Sequence, residues 1–217
     1  MAKKTATKKL KNRVKIDATE IPMRPAPYLV VGPGRCGSST VARLLHEHFG
    51  VCMGYDFLPP DQDQNPDGNY EDMHIVQIHK ALILGHLNYR EWIFNLQQII
   101  YNRVTKKKPW GLKDPIMSYF ISWWITFFDD CPRIIRCKRN EKLVLKSMEK
   151  AWEEVHHIEE AKSLYKGREW CISHTLQYFP HLVIDFGTKK KISDKTIIKM
   201  IEDMWPDIYE GDWGCET

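Results

Sequence analysis

The amino-acid sequence predicts an α/β protein: three layers, with a mostly parallel central sheet covered by helices on both faces. Two observations predict it. Short apolar runs of buried-strand type alternate along the chain with longer segments of helical periodicity, the order that parallel sheets with crossover helices produce. The first apolar run also passes directly into a glycine-rich turn and then into a helix, the setting in which a helix start can meet a phosphate.

Tyr28-Leu-Val-Val31 is the first predicted strand, and a helix follows over 38–49 with Val41, Leu44, Leu45 and Phe49 on one face. Residues 50–70 carry Pro59, Pro60, Pro66 and Gly68 and are expected as a loop, too long for a mere connection. Helical patterns cover 71–86 and 89–104. A second strand is expected at 110–113, a helix at 117–128, a third strand at 133–137 and a helix over 140–155. A long helical region spans 157–178, and a fourth strand spans 181–186. The last helix starts at the N-cap pair Ser193-Asp194 and ends before Pro206.

Charge is unevenly placed. The formal net charge is +4, but residues 1–15 hold seven of the 32 basic residues and no acid. Without those seven, the bases are outnumbered by the 28 acids. A basic arm on a mildly acidic body is not the pattern of a nucleic-acid-binding domain, whose positive charge lies across a folded face. The expected organisation is a basic, disordered tail over 1–26, solvated or adhering to a polyanion or anionic membrane, and one α/β domain over 27–217. Six scattered cysteines without a CxxC pair suit a reduced, cytoplasmic setting. The most apolar run, 119–128, is too short to form a transmembrane segment, and no secretory leader pattern stands at the start of the sequence.

The strongest chemical signal is Gly32-Pro-Gly-Arg-Cys-Gly-Ser-Ser-Thr40 between a strand and a helix. Glycines let the backbone turn tightly and approach a ligand, while the helix start offers unpaired N–H groups to a phosphate. A tight turn without a ligand remains the plainer reading. Two templates overlap here. Gly32, Gly34 and Gly37 match a dinucleotide fingerprint, with Asp56 as the ribose acid and an NAD-dependent oxidoreductase as its consequence. The phosphate loop of nucleoside triphosphatases matches at Gly32, Gly37 and Ser39, but Ser38 stands where its lysine serves the β- and γ-phosphates. A loop without that lysine, with Arg35 inside it, suits a phosphosulfate, which has no γ-phosphate.

With three further segments in order, the chain resembles the sulfotransferases that use 3′-phosphoadenosine 5′-phosphosulfate (PAPS), and most closely their bacterial-type members. Gly34-Arg-Cys-Gly-Ser-Ser-Thr40 is similar to their 5′-phosphosulfate loop, and Asn65-Pro-Asp-Gly-Asn-Tyr-Glu-Asp72 to their N-P-x-G-Y-F-E-D element. Trp110-Gly-Leu-Lys-Asp-Pro115 matches a W-G-L-K-D-P strand end. Arg136 to Ser147 resembles the strand–helix segment that holds the 3′-phosphate, with Arg139 and Ser147 eight apart. The resemblance covers 28–150, and more weakly 181–204. It implies a P-loop-like fold, PAPS as co-substrate without a metal, and a small-molecule or glycan acceptor. It also implies donor contacts from Gly34, Arg35, Cys36, Gly37, Ser38, Ser39, Thr40, Arg139 and Ser147. Arg35 and Lys113 are then expected to stabilise the leaving phosphate, and Glu71 to serve as base, with His74 and Asp114 as alternatives. A nucleotide-binding module without turnover is the non-enzymatic alternative.

The sequence departs from the family pattern at Asn140 and Glu141, which replace Asp-Pro, and at Ile116, where many relatives have arginine. The basic loop over the 3′-phosphate has two candidates, 166–168 and 189–191. The histidines at 46, 48, 156, 157 and 174 lack the companions of a zinc site. The aromatic run 119–128 is expected to be core.

Overall fold

The computed structural model describes residues 27–59, 68–106, 108–128, 130–151, 158–187 and 192–209. The basic tail over 1–26, residues 65–67 of the N-P-x-G segment, His156, His157 and the 189–191 candidate lie outside them.

Four strands form one wholly parallel sheet in the order β2-β1-β3-β4. These are β1 (Tyr28–Val31), β2 (Gly111–Lys113), β3 (Arg133–Lys138) and β4 (Leu182–Asp185). β1 is bonded on both edges, with Val30 opposite Lys113 on one side and Val31 opposite Arg136 on the other. All four of its residues are buried, as a central parallel strand requires, and that is why its sequence is uninterruptedly apolar.

Alternation along the strands divides the core in two. Leu29, Val31, Leu112 and Ile134 face one layer, built from α2 (Met73–Ile83), α3 (Tyr89–Val104), α4 (Ile121–Thr126) and α6 (Ile158–Leu176). Tyr28, Val30, Ile135, Cys137 and Ile184 face the other, formed by α1 (Ser38–Glu47) and α7 (Asp194–Met204). The three-layer α/β architecture expected from the sequence is therefore the one observed. α5 (Glu141–Ala151) packs through Val144, Leu145 and Met148 against α6 in a smaller cluster. No described helix is long and apolar enough to cross a membrane.

The helix starts follow from their caps. Asp72 accepts hydrogen bonds from the backbone N–H groups of His74 and Ile75, so α2 begins at Met73 rather than at 71. Asn88 and Glu91 form a capping box at α3, and Ser193 caps α7. The departure at Asn140 is harmless to α5, because the Asn140 side chain accepts from the Lys142 N–H and caps it in the manner of an aspartate. The helix expected over 117–128 is different in kind. Asp114 caps Ile116 N, Pro115 fixes the first turn, and a 3-10 stretch runs over Pro115–Phe120 before α4. Within it, Ser118 reaches under the glycine turn to donate to the Gly32 carbonyl at 3.1 Å. The aromatic run is core, as expected: Trp124 and Phe128 are buried, and Phe120, Trp123 and Phe127 pack against them.

One buried ion pair ties this framework to the loop that precedes α2. Arg103 of α3 donates to the Asp72 carboxylate and, at 3.1 Å, to the Gly111 carbonyl at the start of β2. Both side chains are almost wholly out of solvent. Arg103→Ala strands the Asp72 carboxylate, a change that costs about 3–5 kcal/mol in buried pairs. For a domain of this size the melting temperature then falls by roughly 10 °C. A calorimetric shift of less than about 2 °C would show that the pair is not what fixes this loop.

Candidate active site

The carboxyl ends of β1, β2 and β3 open on one cleft of about 420 Å³. Its wall begins with the glycine turn. Gly34 (φ +94°), Arg35 (+54°) and Gly37 (+91°) all lie in the left-handed region. At Gly37 only glycine fits, because a Cβ would also stand 2.7 Å from the ring of Phe186, just beyond β4. Gly37 caps α1 without any side-chain hydrogen bond, and the first turn holds no acid. The positive end of the helix therefore faces the cleft beside Ser38, Ser39 and Thr40, uncompensated within its own first turn.

Two arginines brace this turn by its carbonyls. Arg139, just past β3, donates to the Arg35 carbonyl at 3.1 Å, and Arg168 of α6 donates to the Pro33 carbonyl at 3.1 Å. Arg35 Nε donates to Ser147 Oγ on α5 at 3.0 Å. The pair eight residues apart, Arg139 and Ser147, is thus brought together by a third residue, Arg35, through its backbone carbonyl and its side chain, and all three line the cleft.

Lys113, the last residue of β2, donates to Ser39 Oγ and to the Asn69 carbonyl, both at 3.1 Å, and to the Glu71 carboxylate. Glu71 and Lys113 both line the cleft. The alternatives for a base fare differently. Asp114 is buried with both oxygens engaged, Oδ1 by Ile116 N and Oδ2 by His79 Nδ1 at 2.7 Å. Trp124 can only donate, so His79 Nε2 accepts from it at 3.3 Å and Nδ1 carries the proton given to Asp114. Asp114 therefore anchors the turn after Lys113. His74 is exposed, 3.9 Å from Asp56, and neither borders the cleft.

Of the residues singled out by sequence, Gly34, Arg35, Gly37, Ser38, Ser39, Thr40, Glu71, Lys113, Arg139 and Ser147 all border this one cleft. Cys36 does not. Its side chain turns into the core and lies where a Cβ on Gly32 would be only 2.3 Å from its sulfur. A ligand could meet only its backbone. Burial pushes the thiols of Cys36 and Cys137 up from their ordinary range, Cys137 well up. The 166–168 candidate is not a loop but part of α6; Lys166 is exposed, whereas Arg168 is buried, stacks over Tyr119 and enters the cleft. Its Nε, also buried, has no hydrogen-bond partner among the described residues. Ile116, at the position where the family the sequence resembles often has arginine, forms apolar wall instead.

Lys80 was not foreseen. It lines the cleft from α2, one turn after Val76, and only that i,i+4 spacing marks it in the sequence. The dinucleotide template finds no support, since Asp56 does not border the glycine turn's cleft and β1 has β2 and β3 as neighbours. Between α1 and α2 the described chain makes only isolated bridges, Cys52 with Trp110 and Phe57 with Asp72, instead of the strand that template needs. Among the described residues no three His, Cys, Asp or Glu side chains gather as a metal-ligand set.

No family model matches the chain, and no curated protein matches it. Among solved structures, a protein from Chloroflexus aurantiacus, named provisionally as a kinase, is similar with a TM-score of 0.46 at 12% identity. The match covers 84% of this chain and 97% of that one. At that distance the likeness assigns neither fold nor function; the fold here rests on strand pairing and layer order.

The burial of Cys36 has a direct chemical readout. Iodoacetamide at pH 8 should label the exposed Cys131 in the native protein and spare Cys36 and Cys137. Peptide mapping that finds Cys36 alkylated as fast as Cys131 would place its thiol in the cleft after all.

Proposed function

We propose that this chain is a sulfotransferase that moves the sulfuryl group of PAPS to a hydroxyl or amine of a small-molecule or glycan acceptor. The observation that carries this reading is the convergence of four separate segments on one cleft. A cationic glycine turn at a helix start, the Lys113–Glu71 pair, Arg139 and Ser147 come together there from 112 residues of chain. Arg168, whose Nε has no hydrogen-bond partner among the described residues, adds a further guanidinium on the Arg139 side.

In this reading the α1 start and Lys113 hold the 5′-phosphosulfate, while Arg139 and Ser147 hold the 3′-phosphate, with Arg168 beside them. The acceptor oxygen or nitrogen attacks sulfur in line. The new bond to sulfur forms as the sulfur–oxygen bond to the phosphate breaks, and its electron pair leaves on 3′,5′-ADP. Charge accumulates on that leaving phosphate in a loose transition state, as in phosphoryl transfer, and Lys113 and Arg35 are the cations placed to meet it. The acceptor proton passes to the Glu71 carboxylate.

The 3′-phosphate separates PAPS from ordinary adenine nucleotides, so it supplies the test. At 100 times its dissociation constant a ligand stabilises the fold by about 2.7 kcal/mol, which in this size class raises melting by several degrees, roughly 5–10 °C. The expected result is such a shift with 3′,5′-ADP and little with 5′-AMP at equal concentration. Arg139→Ala should erase most of the difference and Ser147→Ala less of it, since a charge-assisted contact is the stronger. Equal shifts with both nucleotides would rule the reading out. Lys113→Ala should lower turnover of radiolabelled PAPS in an acceptor screen by about 10²-fold or more; a native protein that binds 3′,5′-ADP but turns over with no acceptor would be a binding module.

A further inference from the structure

The Lys113 ammonium has three N–H donors and, in this fold, three acceptors. Ser39 Oγ, the Asn69 carbonyl and the Glu71 carboxylate take them all. The lysine and glutamate side chains are only 3% and 12% exposed, so little water can stand in for any of the three. Lys113 cannot touch a bound anion without giving one of them up. The three are not equal. Ser39 and Asn69 offer neutral oxygens, whereas Glu71 offers a full negative charge that would stand beside the incoming anion. Like charges at close range in a poorly solvated site repel strongly.

We infer that Glu71 is a displaceable counter-ion of Lys113, and that an anion binding at the start of α1 takes its place and releases it. This rests on the reading of the cleft as a phosphosulfate site, and it adds an order of events. Before the donor arrives, the Glu71 carboxylate is committed to Lys113. The donor's phosphosulfate takes over the ammonium. The freed carboxylate, whose Oε1 had been held by the ammonium, can then accept the acceptor's proton. Donor occupancy thereby arms the base, and acceptor chemistry follows donor binding. Ser39 places the exchange: it is in the first turn of α1 and already bonded to Lys113, so an anion seated on the helix start lies next to the ammonium. The framework around the pair does not need Glu71 to hold Lys113. Asp72, not Glu71, makes the buried contact with Arg103, and Asp114 anchors the turn that follows the lysine.

The test is equilibrium binding of two probes, 3′,5′-ADP and inorganic sulfate, measured by calorimetry at constant ionic strength. In Glu71→Gln, which keeps the size and removes the charge, both probes should bind about tenfold more tightly than in the native protein. In a Lys113→Met background the same substitution should give no such gain, because there is no ammonium to contest. Glu71→Asp, one methylene shorter, should move in the direction of the glutamine variant by a smaller factor, and it serves equally if Glu71→Gln does not fold. Unchanged or weaker binding in these variants overturns the inference, as does a gain that persists without Lys113, or sulfate that binds to none of them. Failure of the underlying reading looks different: native protein that treats 3′,5′-ADP and 5′-AMP alike, while the sulfate comparison still reports whether Glu71 competes for the lysine.

Discussion

The central strand is hydrogen-bonded in parallel on both edges, and the geometry of the cleft depends on that constraint. Parallel pairing puts the carboxyl ends of β1, β2 and β3 at one edge of the sheet. The residues that follow each strand are then delivered to one place: the glycine turn after β1, Lys113 and Asp114 at the end of β2, Arg139 after β3. Because β1 is buried on both faces, it carries no polar residue until the sheet ends at Gly32. The chain must then reverse at once so that Val41, Leu44 and Leu45 of α1 can pack back on the sheet. Gly37 makes the reversal, and the space left to it by Phe186 admits no side chain.

What the sequence revealed and what it hid divide along the range of the interactions involved. β1, β3 and β4 were legible as short, mostly apolar runs between polar boundaries, and β2, Gly-Leu-Lys, as a shorter run after Trp110. The helix starts at Ser193 and the glycine turn were legible because their signals are local. The 3-10 stretch over Pro115–Phe120 was not, since it depends on an Asp114 cap and on Ser118 meeting the Gly32 carbonyl, 86 residues away in sequence. Arg168 fell within the helical region expected over 157–178 as well as in a basic-loop candidate, and only the packing of α6 on the 3-10 stretch shows that it is turned into the cleft. Asp72 ended a recognisable motif, yet its buried partner Arg103 lies on another helix, with no local pattern connecting them. The family resemblance paired Arg139 with Ser147, but nothing in the sequence marked Arg35 as their bridge.

Composition conceals the electrostatics of the cleft for a related reason. Outside its basic arm the chain carries more acids than bases, which on average suggests a body indifferent to anions. The cleft is the reverse. Arg35, Lys80, Lys113, Arg139 and Arg168 border it against two carboxylates, Glu71 and Asp114, and Asp114 is turned onto His79 and a backbone N–H. A concave surface concentrates such a field, so a small local excess outweighs the sign of the whole chain.

The bracing of the glycine turn has a thermodynamic consequence. Its thiol is sunk into the core, its last glycine is wedged on an aromatic ring, and the carbonyls of Pro33 and Arg35 are each held by a guanidinium from a distant element. A loop shaped only on contact with its ligand surrenders about 1–2 kcal/mol of backbone entropy for each residue it orders. Here that loss falls within folding of the chain. A ligand meets a preorganised surface, and more of its contact energy remains as affinity.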